Sequence, residues 1–306
     1  MTKIDLITGF LGAGKTTFIR EYAQYLLNKG ENICILENDY GAINVDMMLL
    51  SDLISDKCEL EMVSGGCDKD CHKRRFKTKL ISMGMCGYDR VIVEPSGVFD
   101  TDEFFDALRE EPLDRWYQIG SVITIVDVNA LSINPTNTNS DYILASETAN
   151  AGKIIVSKLD APLDETAIKT LIENLNTLSS SIKCDRLFST SDILAKPFDT
   201  LNEVDYESIM TSSYVHANYE KQESAEEDFE SEYFMNKSLS RDELTALSKE
   251  LFEDNSVIRV KGFIKENENW LEFNATRENL TIKPVKEGQD VFIVIRDTKS
   301  NSHSQS

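Results

Sequence analysis

The stretch Gly9-Phe10-Leu11-Gly12-Ala13-Gly14-Lys15-Thr16 constrains this chain's fold more than any other. It fits G-x-x-x-x-G-K-[ST], a loop whose glycines let backbone N–H groups turn inward on a phosphate. Such a loop needs a strand before it and a helix after it, whose N-terminus adds partial positive charge. Both flanks are present. Residues 4–8 are a short β-rich run, and 16–29 set Ile19, Tyr22, Ala23 and Leu26 on one helical face, with Gly30 as a stop. Gly9, Gly12, Ala13, Gly14 and Thr17 are therefore expected to surround a polyphosphate. Lys15 should reach its β- and γ-phosphates, and the Thr16 hydroxyl should hold Mg²⁺.

Apolar runs recur at 33–36, 90–93, 122–126 and 154–157, with helix-like stretches between them. That alternation predicts an α/β P-loop NTPase domain over 1–204, its mostly parallel sheet covered by helices on both faces. Residues 205–226 turn polar and acidic, with Glu220, Glu223 and Glu226 close together, and read as a linker. Residues 227–306 read as a small α+β domain. It has a strand at 229–234 and an amphipathic helix at 241–252, capped by Ser240 and bearing Leu244, Leu247 and Leu251. Four further strands follow at 257–264, 270–274, 280–284 and 291–295, then a polar tail.

The run Arg90-Val91-Ile92-Val93-Glu94-Pro95-Ser96-Gly97 is a strand ending in E-x-x-G. After a P-loop, Glu94 is placed to hold Mg²⁺ through water and the Gly97 amide to bond the γ-phosphate, so that loss of this phosphate releases the turn. Val98 stands where some GTPases carry a water-orienting Gln, which predicts slow intrinsic turnover. Ser157-Lys158-Leu159-Asp160 resembles the guanine reader N-K-x-D, with Ser in place of Asn. A carboxylate at Asp160 can accept from both guanine N1–H and the 2-amino group, a donor pair adenine lacks. The Lys158 stem can lie over the base, and Ser189, after a strand-like run at 186–188, can offer a backbone contact to the guanine oxygen.

With those residues in place, the chain resembles the CobW family of P-loop GTPases, relatives of the urease and hydrogenase nickel-insertion GTPases. T-G-F-L-G-A-G-K-T-T at 8–17 is close to the family string. Glu37-Asn38-Asp39-Tyr40-Gly41 matches its E-N-E-F-G, with Val45-Asp46 following. Glu94-Pro95-Ser96-Gly97 matches E-x-[ST]-G, Val126-Asp127 closes the next strand, and Arg259-Val260-Lys261-Gly262 matches the R-x-K-G of its second domain. The resemblance implies GTP and Mg²⁺ as ligands and a metallochaperone or metallocofactor-insertion role, related to cobalamin in some members. Nucleotide state would be coupled to metal or to a client metalloenzyme or cofactor-pathway protein.

The chain departs from the family at its metal motif, N-G-C-x-C-C. Here the segment is Ser64-Gly65-Gly66-Cys67-Asp68-Lys69-Asp70-Cys71-His72. Cys67, Cys71 and His72 still make a compact thiolate and imidazole set, which Glu37 or Asp39 can join. Those donors suit Zn²⁺, Co²⁺ or Ni²⁺. The weakened motif keeps a second function open: a GTPase activator of a metal- or corrinoid-dependent enzyme that carries no metal itself. A small-molecule P-loop kinase is a third, opposed by the guanine-reader motif.

Composition bounds the partners. With 53 Asp+Glu against 32 Lys+Arg, the formal charge is −21. Such a surface repels nucleic acid and anionic membrane. No apolar run reaches the length of a membrane span, and the N-terminus lacks the apolar core of a signal peptide. The six cysteines are widely spaced and form no disulfide framework. The expectation is a cytoplasmic protein, with a homodimer as a candidate assembly.

Overall fold

The computed structural model describes residues 1–39, 45–64, 69–97, 99–130, 139–222, 229–235, 239–266, 269–277, 279–286 and 288–298, with the backbone alone at 39, 45, 64 and 69. The chain divides into two compact units, Met1–Glu223 and Ser224–Ser306.

The first unit is built on seven parallel strands: β1 (Thr2–Thr8), β2 (Ile33–Asp39), β3 (Cys58–Ser64), β4 (Arg90–Pro95), β5 (Tyr117–Asp127), β6 (Lys153–Ser157) and β7 (Ile193–Leu194). Their order is β3-β2-β4-β1-β5-β6-β7, so the strand that feeds the P-loop lies at the centre. The helices are α1 (Lys15–Asn28), α2 (Val45–Leu50), α3 (Lys69–Met83), α4 (Thr101–Arg109), α5 (Leu113–Trp116), α6 (Asn139–Ala149), α7 (Glu165–Ser181) and α8 (Glu203–Met210).

Strand alternation divides the core into faces. Ile33, Ile35 and Ile92 pack with Phe18, Ile19 and Tyr22 of α1. Cys34, Leu36, Val91 and Val93 pack on the opposite face with Phe76 and Leu80 of α3 and Phe104 and Phe105 of α4. Helix α1 ends as expected: the Gly30 amide donates to the Leu27 carbonyl and the Glu31 amide to that of Leu26.

Beneath the α1 face lies a buried charge. Register between β1 and β5 slips between Ile4 and Leu6, which pair with Ile119 and Val122, so Gly120 and Ser121 together oppose Asp5. The Asp5 carboxylate accepts from the Ser121 amide at 2.8 Å, the Tyr22 hydroxyl at 2.8 Å and Arg90 at 2.6 Å.

Three expectations change. Strand β3 carries too little apolar run to be read from sequence, because it is an edge strand with Glu59 and Glu61 in it. The expected strand at 186–188 does not form. Arg186 instead donates to the Thr148 and Ala149 carbonyls at the end of α6, and two-residue β7 takes the sheet edge. The linker expected from residue 205 is ordered against the first unit over much of its length. Helix α8 is capped by Asn202, and Tyr206 stacks on Tyr25 at 4.3 Å. Glu207 faces outward onto Lys29, while Tyr206, Ile209 and Asp205, the last paired with Lys196, are buried. The helical period was hidden in an acidic composition.

The second unit is a five-stranded antiparallel sheet in the order β11-β10-β9-β12-β8, with helix α9 (Arg241–Leu251). The strands are β8 (Phe229–Met235), β9 (Val257–Glu266), β10 (Asn269–Ala275), β11 (Leu280–Val285) and β12 (Val291–Asp297). Ser240 caps α9 reciprocally with Glu243, and Leu244 packs with Val260, Phe273 and Val294. Among the described residues no helix is long and apolar enough to cross a membrane.

Candidate nucleotide site

The P-loop leaves β1 at Gly9, whose φ is +144° and where a Cβ would stand 2.4 Å from the Ile125 carbonyl oxygen. Only glycine lets the chain pass so close to β5 and turn. Lys15 opens α1 almost fully buried, and its ammonium donates to the Gly9 carbonyl at 2.8 Å, closing the loop on itself. The Thr16 hydroxyl donates to Glu94 Oε1 at 2.9 Å. Thr17 is exposed in the first turn of the helix.

Parallel pairing sets Glu37 of β2 beside Glu94 of β4 in register, and alternation turns both toward the α1 face, the side of Thr16. Glu94 is 4 % exposed. Burial and the nearby Asp46 carboxylate push its pKa from 4.5 up to about 7, opposed by the Lys15 ammonium and by hydrogen bonds with Glu37 and Thr16. Glu94 Oε2 meets no hydrogen-bond donor among the described residues, since its neighbour Glu37 can supply a hydrogen only when protonated. An orphaned carboxylate oxygen beside a hydroxyl, with Glu37 in register next to it, offers the hard donors that Mg²⁺ takes when phosphate and water complete its shell.

The turn after β4 packs against the P-loop. A Cβ at Gly97 would stand 2.8 Å from the Leu11 amide nitrogen, so no side chain fits there. The Ser96 amide donates to the Asn38 carbonyl at 3.0 Å. Val98 lies outside the described residues, as do Tyr40 and Gly41.

On the base side, the Ser157 hydroxyl donates to the Ala13 carbonyl at 2.5 Å. The substitute for Asn thus still ties the 157–160 loop to the P-loop. Lys158 takes a left-handed φ of +58° and pairs with Asp127 at 2.5 Å. Asp160 is exposed, not buried, in the absence of a base. The Ser189 amide is taken by the Asp192 carboxylate at 2.7 Å, which removes it as a guanine contact in this arrangement. Phe198, not anticipated from sequence, sits by the loop: its Cε2 lies 3.8 Å from where a Gly14 Cβ would be, and its ring meets Phe18 edge-on.

The thiolate and imidazole set is not brought together among the described residues, where no group of three His, Cys, Asp or Glu side chains stands close enough to hold a metal ion. Cys67 and the Asp39 side chain lie outside them. His72 turns inward, and its Nε2 donates to Asn38 Oδ1 at 2.8 Å. Half-buried Cys71 lies about 100° away around the same helix. The other described cysteines, Cys34, Cys58, Cys86 and Cys184, are also free thiols. Burial pushes the Cys58 pKa up to about 11, so that group is inert at neutral pH.

The model of the CobW/HypB/UreG nucleotide-binding domain matches residues 3–184. The zinc chaperone YjiA of Escherichia coli is 25 % identical over 183 residues, 56 % of this chain and 54 % of its own. The zinc chaperone YeiR of the same organism is 28 % identical over 167 residues, 54 % of this chain and 49 % of its own. The chain thus spans about half the length of the curated relatives it matches. The crystal structure of Zn(II)-bound YjiA GTPase from E. coli aligns over 98 % of this chain and 96 % of that one, at 20 % identity and a TM-score of 0.38. On the match over 3–184, this chain belongs to the CobW/HypB/UreG family.

Proposed function

We propose that the chain binds and slowly hydrolyses GTP and uses that cycle as a metallochaperone or metallocofactor-insertion factor for a client metalloenzyme or cofactor-pathway protein. The observation that supports this best is the convergence of Thr16, Glu94 and Glu37 beside Lys15, with Ser157 fastening the base-reading loop to the same P-loop. Lys15 would exchange the Gly9 carbonyl for the β- and γ-phosphates, while the P-loop amides and the start of α1 hold the rest of the tail. Thr16 and Glu94 would hold Mg²⁺, with Glu37 in reach. A bound Mg²⁺ supplies charge neutralisation on the phosphates as the γ-group departs. Gly97 would offer its amide to that group, Asp160 would swing onto the guanine edge, and Lys158 would leave Asp127 to cover the base.

The first unit carries the nucleotide chemistry in this proposal, and the acidic surface favours protein or metal partners over nucleic acid or membrane. A cytoplasmic setting and a homodimer belong to the same proposal. The test is equilibrium dialysis with Zn²⁺, Co²⁺ and Ni²⁺ in the presence of a GTP analogue or GDP, on wild type and Cys67→Ala. Nucleotide-dependent metal affinity that Cys67→Ala removes is the expected result; equal affinities in both states end the metallochaperone reading. The arrangement of His72 on Asn38 favours the second reading, an activator that gates a client without carrying metal. Retained nucleotide turnover with no metal uptake is its signature.

A further inference from the structure

We propose that His72 is a positioning residue for the phosphate-sensing turn after β4, and that α3 is the element through which this turn's state is passed on. The inference rests on the nucleotide-site reading above and extends it to residues with no part in holding the ligand.

Strand alternation is the starting point. Glu37 faces α1 and the P-loop, so Asn38, the next residue, faces α3. There its side-chain oxygen accepts from His72 Nε2 at 2.8 Å, with both residues only 2 % exposed. The same residue's backbone carbonyl accepts the Ser96 amide at 3.0 Å. One residue therefore joins α3 by its side chain to the turn by its backbone.

A second tie runs from the far end of the turn. Asp100 caps α4, directly after the turn, and α4 is bound to α3 by Lys73–Glu103 at 3.0 Å and by Lys77–Glu110. The turn is thus held to α3 from both sides, through Asn38 before it and through α4 after it. It also touches the P-loop, since Gly97 has no room for a side chain against Leu11.

A turn clamped this way cannot shift alone. When loss of the γ-phosphate releases Gly97, either the Ser96–Asn38 bond breaks or Asn38 moves and pulls His72 with it. The second outcome reaches α3, which also carries Cys71, and it is the one proposed here. The coupling is reciprocal, so a ligand or client that displaces α3 alters the preference for GTP over GDP. The imidazole is what keeps the buried Asn38 oxygen paired and in one orientation.

The test uses the full chain in magnesium buffer, as wild type, His72→Leu and His72→Gln. His72→Leu keeps the packing and removes the donor. Its preference for a non-hydrolysable GTP analogue over GDP should fall roughly tenfold, with GDP affinity changed by less than about twofold. Single-turnover hydrolysis should slow by a similar factor, and His72→Gln, whose amide can donate to Asn38, should recover most of both. In wild type, hydrogen exchange at the amides of 73–76 should be slower with the analogue than with GDP. Three results overturn the proposal: an unchanged preference in His72→Leu, an equal loss for both nucleotides that His72→Gln does not rescue, or identical wild-type exchange in the two states. The exchange measurement decides the matter if His72→Leu does not fold. Failure of the nucleotide-site reading shows separately, as wild type that binds neither nucleotide.

Discussion

Replacing Glu94 with glutamine isolates the electrostatic consequence of setting this carboxyl at the end of β4. Burial, then Asp46, raise its pKa from 4.5 to about 7 in spite of Lys15, Glu37 and Thr16. Between those values the folded chain holds a proton that the unfolded chain has released. The group's contribution is therefore complete below about pH 4.5 and is lost as pH rises through 7. At 1.36 kcal/mol per pH unit the whole loss is about 3 kcal/mol, most of it between pH 5 and pH 8. Glu94→Gln keeps the shape and an oxygen for the Thr16 hydroxyl but never ionises. Urea unfolding of both proteins in EDTA, from pH 5 to pH 8, measures the difference. The stability of Glu94→Gln minus that of wild type should grow by about 2–3 kcal/mol across this range. Magnesium and GTP should then stabilise wild type at pH 8 more than the variant, which keeps Lys15 and the P-loop amides but lacks the carboxylate for the metal. Parallel pH curves in EDTA would refute the reasoning, because they would mean that Glu94 titrates normally and is not held among carboxylates.

Other perturbations probe other parts of the site and its support. Asp160→Ala should reduce the preference for GTP over ATP by at least about a hundredfold in competition binding, since the proposal makes that carboxylate the group that tells the purines apart. Gly97→Ala places a methyl 2.8 Å from the Leu11 amide nitrogen. Single-turnover hydrolysis should then slow by about tenfold or more, with GDP binding nearly intact. Asp5→Ala leaves buried Arg90 with Glu31 alone and takes the acceptor from the Tyr22 hydroxyl and the Ser121 amide. It should cost about 3–5 kcal/mol in chemical denaturation, with the melting temperature about 10 °C lower.

What was legible in the sequence was local. Gly9–Thr16 announces itself because the loop's chemistry sits in consecutive residues, and its flanks follow from period and β-branching. Glu94 and Ser157 were legible by their place after apolar strands. Their partners were not. Glu37 meets Glu94 because two strands far apart in sequence lie in register, and Ser157 reaches Ala13 only once β6 stands beside β5. His72 shows the same limit more sharply. As a residue type beside cysteines it suggests a metal ligand, yet which way it points depends on which face of α3 meets the sheet, and that face turns it onto Asn38. Asp160 is exposed, which its place after an apolar strand does not reveal. In the second unit each strand and the helix were visible, because antiparallel strands with polar turns punctuate themselves.

The most direct measurement is calorimetric titration of wild type and Lys15→Ala with GTP, GDP and ATP in magnesium buffer. A purine polyphosphate gripped by inward-turned amides and one buried ammonium predicts saturable heat for GTP and GDP in wild type, weaker heat for ATP, and none of comparable affinity in the variant. Wild type silent toward all three nucleotides, or a variant that matches wild type, would contradict it.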